Sequence, residues 1–242
     1  MRRPESRAPC WRRRALAASA GAFALLGVGP LSGCAAYGGG RGGGGTQPPP
    51  PRDVAALFAD PGAAILRHGA PIGYRPGLPL QRGDRIQTGG GANALVRFNN
   101  GDEVYLNGDS SVEVGSIFVF FGEVFVHLFG TPERDKFRVD TEFVSAGAEG
   151  TEYLVRVDRQ TNQTTVIVRE GVVVCSPRRG AWQPVRMLAR EQLVVATPAT
   201  PSRMVLDDAL IQQHIRWSVG AAQRLRRPAA DPRPYPQAPP IR

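Results

Sequence analysis

The 242-residue chain carries 30 basic against 21 acidic side chains and a formal charge of +9. Six arginines and one glutamate of that balance lie in residues 1–33, and without them 24 basic and 20 acidic residues leave +4. That surplus is too small for a nucleic-acid binder. The three cysteines, at 10, 34 and 175, include no CxxC pair and suggest no disulfide framework.

The N-terminus reads as an export signal. Met1–Arg14 is basic, and Ala15–Leu31 is an apolar run too short for a confident membrane span. It ends in Leu31-Ser32-Gly33-Cys34, which resembles the bacterial lipobox. The resemblance implies cleavage after residue 33 and acylation of Cys34. The sulfur would hold a diacylglyceride, and more than one acyl chain is needed for stable anchoring. Ala35, where an aspartate would imply inner-membrane retention, points to the outer membrane, facing the periplasm. Adjacent arginines at 12–14 leave twin-arginine export open beside ordinary secretion, which is favoured. Residues 34–52 are rich in Gly and then Pro, a tether that cannot form a core.

Residues 53–200 read as one all-β domain. Asp53 is placed to cap a short helical turn through Val54–Ala59, and Ala63–Leu66 as a strand. Short alternating runs follow, closed by Gly, Asn or Asp: Ala94–Phe98, Val104 with Leu106, Val112 with Val114, and Val124 to Leu128. Phe137, Val139, Tyr153, Val155, Val157, Val166, Val168, Val172 and Val174 continue the pattern. Glycines at 101, 108, 115, 122 and 130 recur every seven or eight residues. Regular corners of that kind predict a β-solenoid-like stack of short strands. Phe118, Phe120, Phe121, Phe125 and Phe129 crowd a short stretch. Burial under another layer is the favoured reading, and an exposed strip for a partner is the other.

The motifs of this region carry a resemblance. Leu80-Gln81-Arg82-Gly83-Asp84-Arg85-Ile86-Gln87-Thr88-Gly89 is similar to the opening of the FecR domain. Ala94–Leu106 with its Asn99-Asn100-Gly101 turn, Gly122-Glu123-Val124, Gly150-Thr151-Glu152-Tyr153, and Val166–Val174 around Gly171 match later steps in the family's order. Gly83, Asp84, Thr88, Gly89, Gly101, Gly150, Thr151 and Gly171 thus become structural turn positions. Asn100, Asp102, Ala148 and Glu149 depart from the family's pattern. The resemblance implies a free-standing FecR-domain lipoprotein, non-catalytic, that binds an envelope protein or takes part in signalling. The alternative is a structural envelope protein associated with peptidoglycan or surface polysaccharide.

Residues 201–227 predict one amphipathic helix, capped by Asp207 or Asp208 and ending in arginines. Leu210, Ile211, Ile215, Trp217, Ala221, Ala222 and Leu225 share a face, expected to pack on the β domain. A membrane-surface or partner helix is the other reading. Residues 228–242 are a Pro-rich tail. His68, His127 and His214 lie far apart without metal-ligand spacing, and Cys175 reads as a small buried residue. No catalytic set, cofactor site or metal site is read from the sequence.

Overall fold

The computed structural model describes residues 55–129, 137–196 and 200–226. In chain order the strands are β1 (Ala55–Ala59), β2 (Ala63–Arg67), β3 (Ala70–Ile72), β4 (Leu78–Leu80), β5 (Arg85–Thr88), β6 (Ala94–Phe98), β7 (Glu103–Leu106) and β8 (Ser111–Glu113). Then come β9 (Ile117–His127), β10 (Phe137–Asp140), β11 (Val144–Val157), β12 (Thr164–Pro177), β13 (Val185–Leu188), β14 (Glu191–Val195), β15 (Ser202–Val205) and a helix, α1 (Asp208–Leu225).

The strands form one sheet folded over on itself, a barrel with extra strands at its margins. β9, β11 and β12 are long because each runs through both halves. In the first half their neighbours give the order β4-β1-β6-β7-β9-β11-β12-β14-β15. In the second half the order is β3-β2-β5-β8-β9-β10-β11-β12-β13. A single apolar core lies between the halves. Leu57, Val96, Val104 and Val126 enter it from the first, and Ile65, Ile86, Val119 and Val173 from the second.

Each long strand turns the corner at a glycine of positive φ: Gly122 (95°) in β9, Gly150 (55°) in β11 and Gly171 (83°) in β12. Bends of this kind let one strand serve two packed layers. At Gly122 a side chain would also overlap Ser110, and at Gly171 it would overlap Thr151 and lie 2.9 Å from the Gly150 carbonyl oxygen. Both need glycine twice over, for the backbone conformation and for the space.

A second apolar cluster lies outside the first half. Leu95, Tyr105, Phe125, Leu154 and Ile167 point away from the main core and are covered by Ile211, Ile215, Ala221 and Leu225 of α1. The helix begins as the sequence predicts, with the Asp207 carboxylate accepting from the Leu210 N–H at 2.7 Å. Its other end is held by Arg226, which donates to the buried Glu103 carboxylate, and by Arg224, which donates to Asn93 Oδ1 at 2.6 Å and Asp60 Oδ2 at 3.2 Å. Leu210, expected on the packed face, is 37 % exposed.

The all-β reading holds, and the solenoid does not. Stacked rungs would pair in parallel, whereas every pairing but β9–β10 is antiparallel. The evenly spaced glycines do unlike jobs. Gly101, Gly108 and Gly115 sit between strands, Gly122 bends the inside of one, and Gly130 lies outside the described residues. The helical turn expected through Val54–Ala59 is instead β1. Ala55, Leu57 and Ala59 alternate inward, and β1 pairs with β4 and β6. β15 lies beyond Pro201, where the sequence reading ends the β region. No helix among the described residues is long and apolar enough to cross a membrane.

Candidate functional site: the open face of the second half

Among the described residues no helix lies over the outer face of the second half. In β9, Ile117 and Val119 point into the core and Phe118 and Phe120 point out, half-buried. A register irregularity opposite β8, where Ser111 pairs with Phe121 and Val112 with Val119, puts an extra residue into β9 and leaves Phe121 half-exposed as well. The Phe118 and Phe120 ring centroids are 4.7 Å apart, tilted by 55°.

Arginines from three other segments lie over these rings. Arg85 of β5 has its Cζ 4.0 Å from the Phe120 centroid, Arg159 lies 4.5 Å from that of Phe121, and Arg178 lies 5.1 Å from that of Phe118. Such pairs are attractive because a ring face is electron-rich. Arg159 is set by the β11–β12 turn. There Asp158 Oδ1 accepts from the Gln160 N–H, the Thr161 N–H and the Thr161 hydroxyl, and the Thr161 bonds, then Gln160, lower its pKa. Arg178 donates to the Thr141 carbonyl at 3.2 Å and stands 3.8 Å from Asp140. Glu142 accepts from both Asn162 and Arg179.

Phe118, Phe121, Glu142, Arg159, Asn162 and Arg179 line a groove of about 580 Å³. A second depression of about 490 Å³ adjoins it across Arg178, floored by Ser145, Gly147 and Val174 and flanked by Arg138 and Asp140. Together they make a trough along the outer face of β9, β10, β11 and β12. Its volume is in the range of ligand sites, and its lining is mostly polar, with the phenylalanine rings along one side.

The sequence-predicted site residues are elsewhere, and each supports the frame. Gly83 (φ 85°) donates its N–H to Val114 O at 2.7 Å. Asp84 is buried and takes the Arg67 fork at 2.9 and 2.8 Å and the Gln81 N–H at 2.8 Å. Burial raises its pKa, but the Arg67 and Gln81 bonds outweigh that and hold it below the usual carboxylate range. Thr88 donates to Asn107 O at 2.6 Å and accepts from Ser110 N at 3.0 Å, while the Gly89 carbonyl accepts from Ala92 and Asp109. Gly101 (φ 92°) turns β6 into β7 beside Asn100 and Asp102, whose side chains bond each other, and Asp102 also accepts from the Phe129 N–H at 3.0 Å. Gly150, Thr151 and Gly171 meet at the corner of β11 and β12. Cys34 lies outside the described residues.

Of the five phenylalanines in the aromatic stretch, Phe125 is under α1 and Phe129 is 56 % exposed, stacked on His127 at 4.0 Å. The cluster is thus divided, with Phe125 buried under another layer as the favoured reading expects and Phe129 exposed. His127 also approaches Glu152 at 3.3 Å, and His214 on α1 lies 3.3 Å from Arg156. Cys175 is fully buried, its thiol pushed up to about 12 by that burial, with Met187 Sδ 3.5 Å away. Among the described residues no group of three or more His, Cys, Asp or Glu could hold a metal ion. Sequence reasoning missed Arg159, Arg178, Arg179 and Glu142. The one local signal was turn chemistry, in Asp158–Gln163 and in Pro177 followed by two arginines.

Residues 84–174 match the family model described as FecR protein, a span running from β5 to β12. No curated protein matches the chain. Two crystal structures of a candidate anti-sigma factor from Parabacteroides distasonis are similar to it, at 21% and 22% identity and TM-scores of 0.48 and 0.47, each covering 56% of this chain. The chain spans 65% and 64% of the length of those structures. The part of the folded-over sheet from β5 to β12, with its corner glycines, thus carries a FecR domain, matched over residues 84–174.

Proposed function

We propose that this FecR domain is a non-catalytic module of signalling or regulation that docks an envelope protein on the open face of its second half. The observation that carries the reading is the contrast in cover. One outer face is closed by α1, while the other leaves Phe118, Phe120 and Phe121 half-exposed among arginines. Aromatic and arginine side chains are the types enriched where protein interfaces gain most of their affinity. Leu31-Ser32-Gly33-Cys34 supports placement as a lipoprotein, bound to the outer membrane through lipid on Cys34 and facing the periplasm. Capture of envelope proteins on the wild-type chain and on Phe118→Ser tests the docking. A defined protein retained only by the wild type supports the proposal, and equal retention by both ends it. The anchor has a separate test. Cys34→Ser should leave the membrane fraction, and palmitate labelling that persists in that variant would refute the lipid site.

A further inference from the structure

Resting on the docking face just proposed, we infer that its occupant is an acidic, extended protein segment. The rings argue against a sugar as the main ligand. Aromatic strips hold sugars by stacking them on free ring faces, but here Phe118, Phe120 and Phe121 each carry a guanidinium at 5.1, 4.0 and 4.5 Å. The groups that meet a ligand are therefore N–H edges of arginines already oriented by their rings. A guanidinium so placed offers a planar fork suited to a carboxylate.

Charge points the same way. Arg159 in the groove and Arg138 in the adjoining depression have no carboxylate partner among the described residues, and they lie on either side of Arg178, the wall common to both depressions. Arg178 stands 3.8 Å from Asp140, the long end of ion pairing, and donates to the Thr141 carbonyl. The carboxylates present, Glu142 and Asp140, are already engaged by Asn162 and Arg179 and by Ser145. The trough therefore has unmatched positive charge toward both ends, at Arg159 and Arg138, among the described residues.

Shape selects an extended chain. The floor of the second depression is Ser145, Gly147 and Val174, side chains short enough for a main chain to lie close. A Cβ placed on Gly147 would meet nothing nearer than Val174 O at 3.8 Å. Glutamate or aspartate side chains from such a segment would reach the guanidiniums, and small or apolar ones would lie against the phenylalanine edges.

The test uses the full chain and a fluorescent peptide of alternating glutamate and alanine, with its glutamine counterpart and polygalacturonate as comparators. We expect the glutamate peptide to bind at least about tenfold more tightly than the glutamine one, as loss of a charge-assisted pair would give. Added salt should weaken that binding. Arg159→Glu and Arg138→Glu should each abolish it, Arg159→Lys should retain part of it, and Arg216→Glu, on the exposed side of α1, should leave it unchanged. Equal binding of the two peptides, or displacement of the glutamate peptide by tighter-binding polygalacturonate, overturns the acidic-protein assignment. If no acidic peptide binds while Phe118→Ser still loses an envelope protein, this inference falls and the docking face stands. If Arg159→Glu and Arg138→Glu bind the peptide as the wild type does, and Phe118→Ser retains the envelope protein, both fall.

Discussion

The two halves of the folded sheet are built from the same three long strands, yet those strands read differently in each. In the open half they alternate. Ile117 and Val119 are buried while Phe118 and Phe120 are half-exposed, and Val144, Ala146 and Ala148 alternate with Ser145 and Gly147. Past the corner glycines alternation gives way to unbroken buried triplets: Val124-Phe125-Val126, Tyr153-Leu154-Val155 and Val166-Ile167-Val168. A strand with water on one side alternates, and a strand covered on both sides does not. The helix is thus written into the sheet beneath it. The open face keeps the alternation yet places rings at its outward positions, where the docking proposed above would cover them.

Removing the cover is the harshest way to break that contrast. Ending the chain after Leu206 strips Ile211, Ile215 and Leu225 from their cluster, a loss of about 4.5–9 kcal/mol at 1.5–3 per large side chain. We expect aggregation and strong binding of a hydrophobic dye, and a soluble monomer melting at the wild-type temperature would show that the helix is not part of the fold. Next in size is the corner between the halves. Gly171→Val combines a strained φ with overlap against Thr151 and the Gly150 carbonyl, and should cost about 2–6 kcal/mol in a denaturant titration. An unchanged midpoint would mean that β12 does not need its bend.

The sharpest comparison uses one residue type on one strand. Phe125→Ala, under the helix, should destabilise by about 3–5 kcal/mol, whereas Phe118→Ala, on the open face, should cost less than about 1. Equal costs would show that the two faces are equally covered. The smallest effect concerns the salt bridge that holds the end of α1. Burial raises the Glu103 pKa, but hydrogen bonds from Arg226 and Tyr105 outweigh it and hold the carboxyl below its ordinary value. The folded state then binds fewer protons than the unfolded state across that interval. The stability it contributes is full above the unfolded value of about 4.3 and is lost as pH falls through the folded one. Glu103→Gln should cost about 1–3 kcal/mol at neutral pH and flatten the acid limb of a stability–pH curve, and an unaltered limb would exclude Glu103 as its source.

Much of the frame was legible. Alternation marked β6, β7, β8 and β9, the capping aspartate and apolar stripe marked α1, and ordered motifs pointed to the family. What misled was the even spacing of glycines, because spacing does not tell a hairpin turn such as that at Gly101 from a bend inside a strand such as that at Gly122. β1 was misread because a capping aspartate and an alanine-rich run suit a helix locally, while pairing with β4 and β6 decided otherwise. Of the trough only the crowd of phenylalanines was legible. Phe118, Glu142, Arg159 and Arg178 come from four separated segments, and only the pairing of β9 through β12 brings them together.

The placement of β1 has a mechanical consequence. It is the first described strand, yet it lies inside the sheet, bonded along its whole length to β6 and over three residues to β4. A pull along β1 from its Ala55 end loads both ladders in shear, so the bonds must yield together instead of peeling apart one at a time. A chain held from its N-terminal side and drawn from its open face would therefore carry tension through two ladders at once.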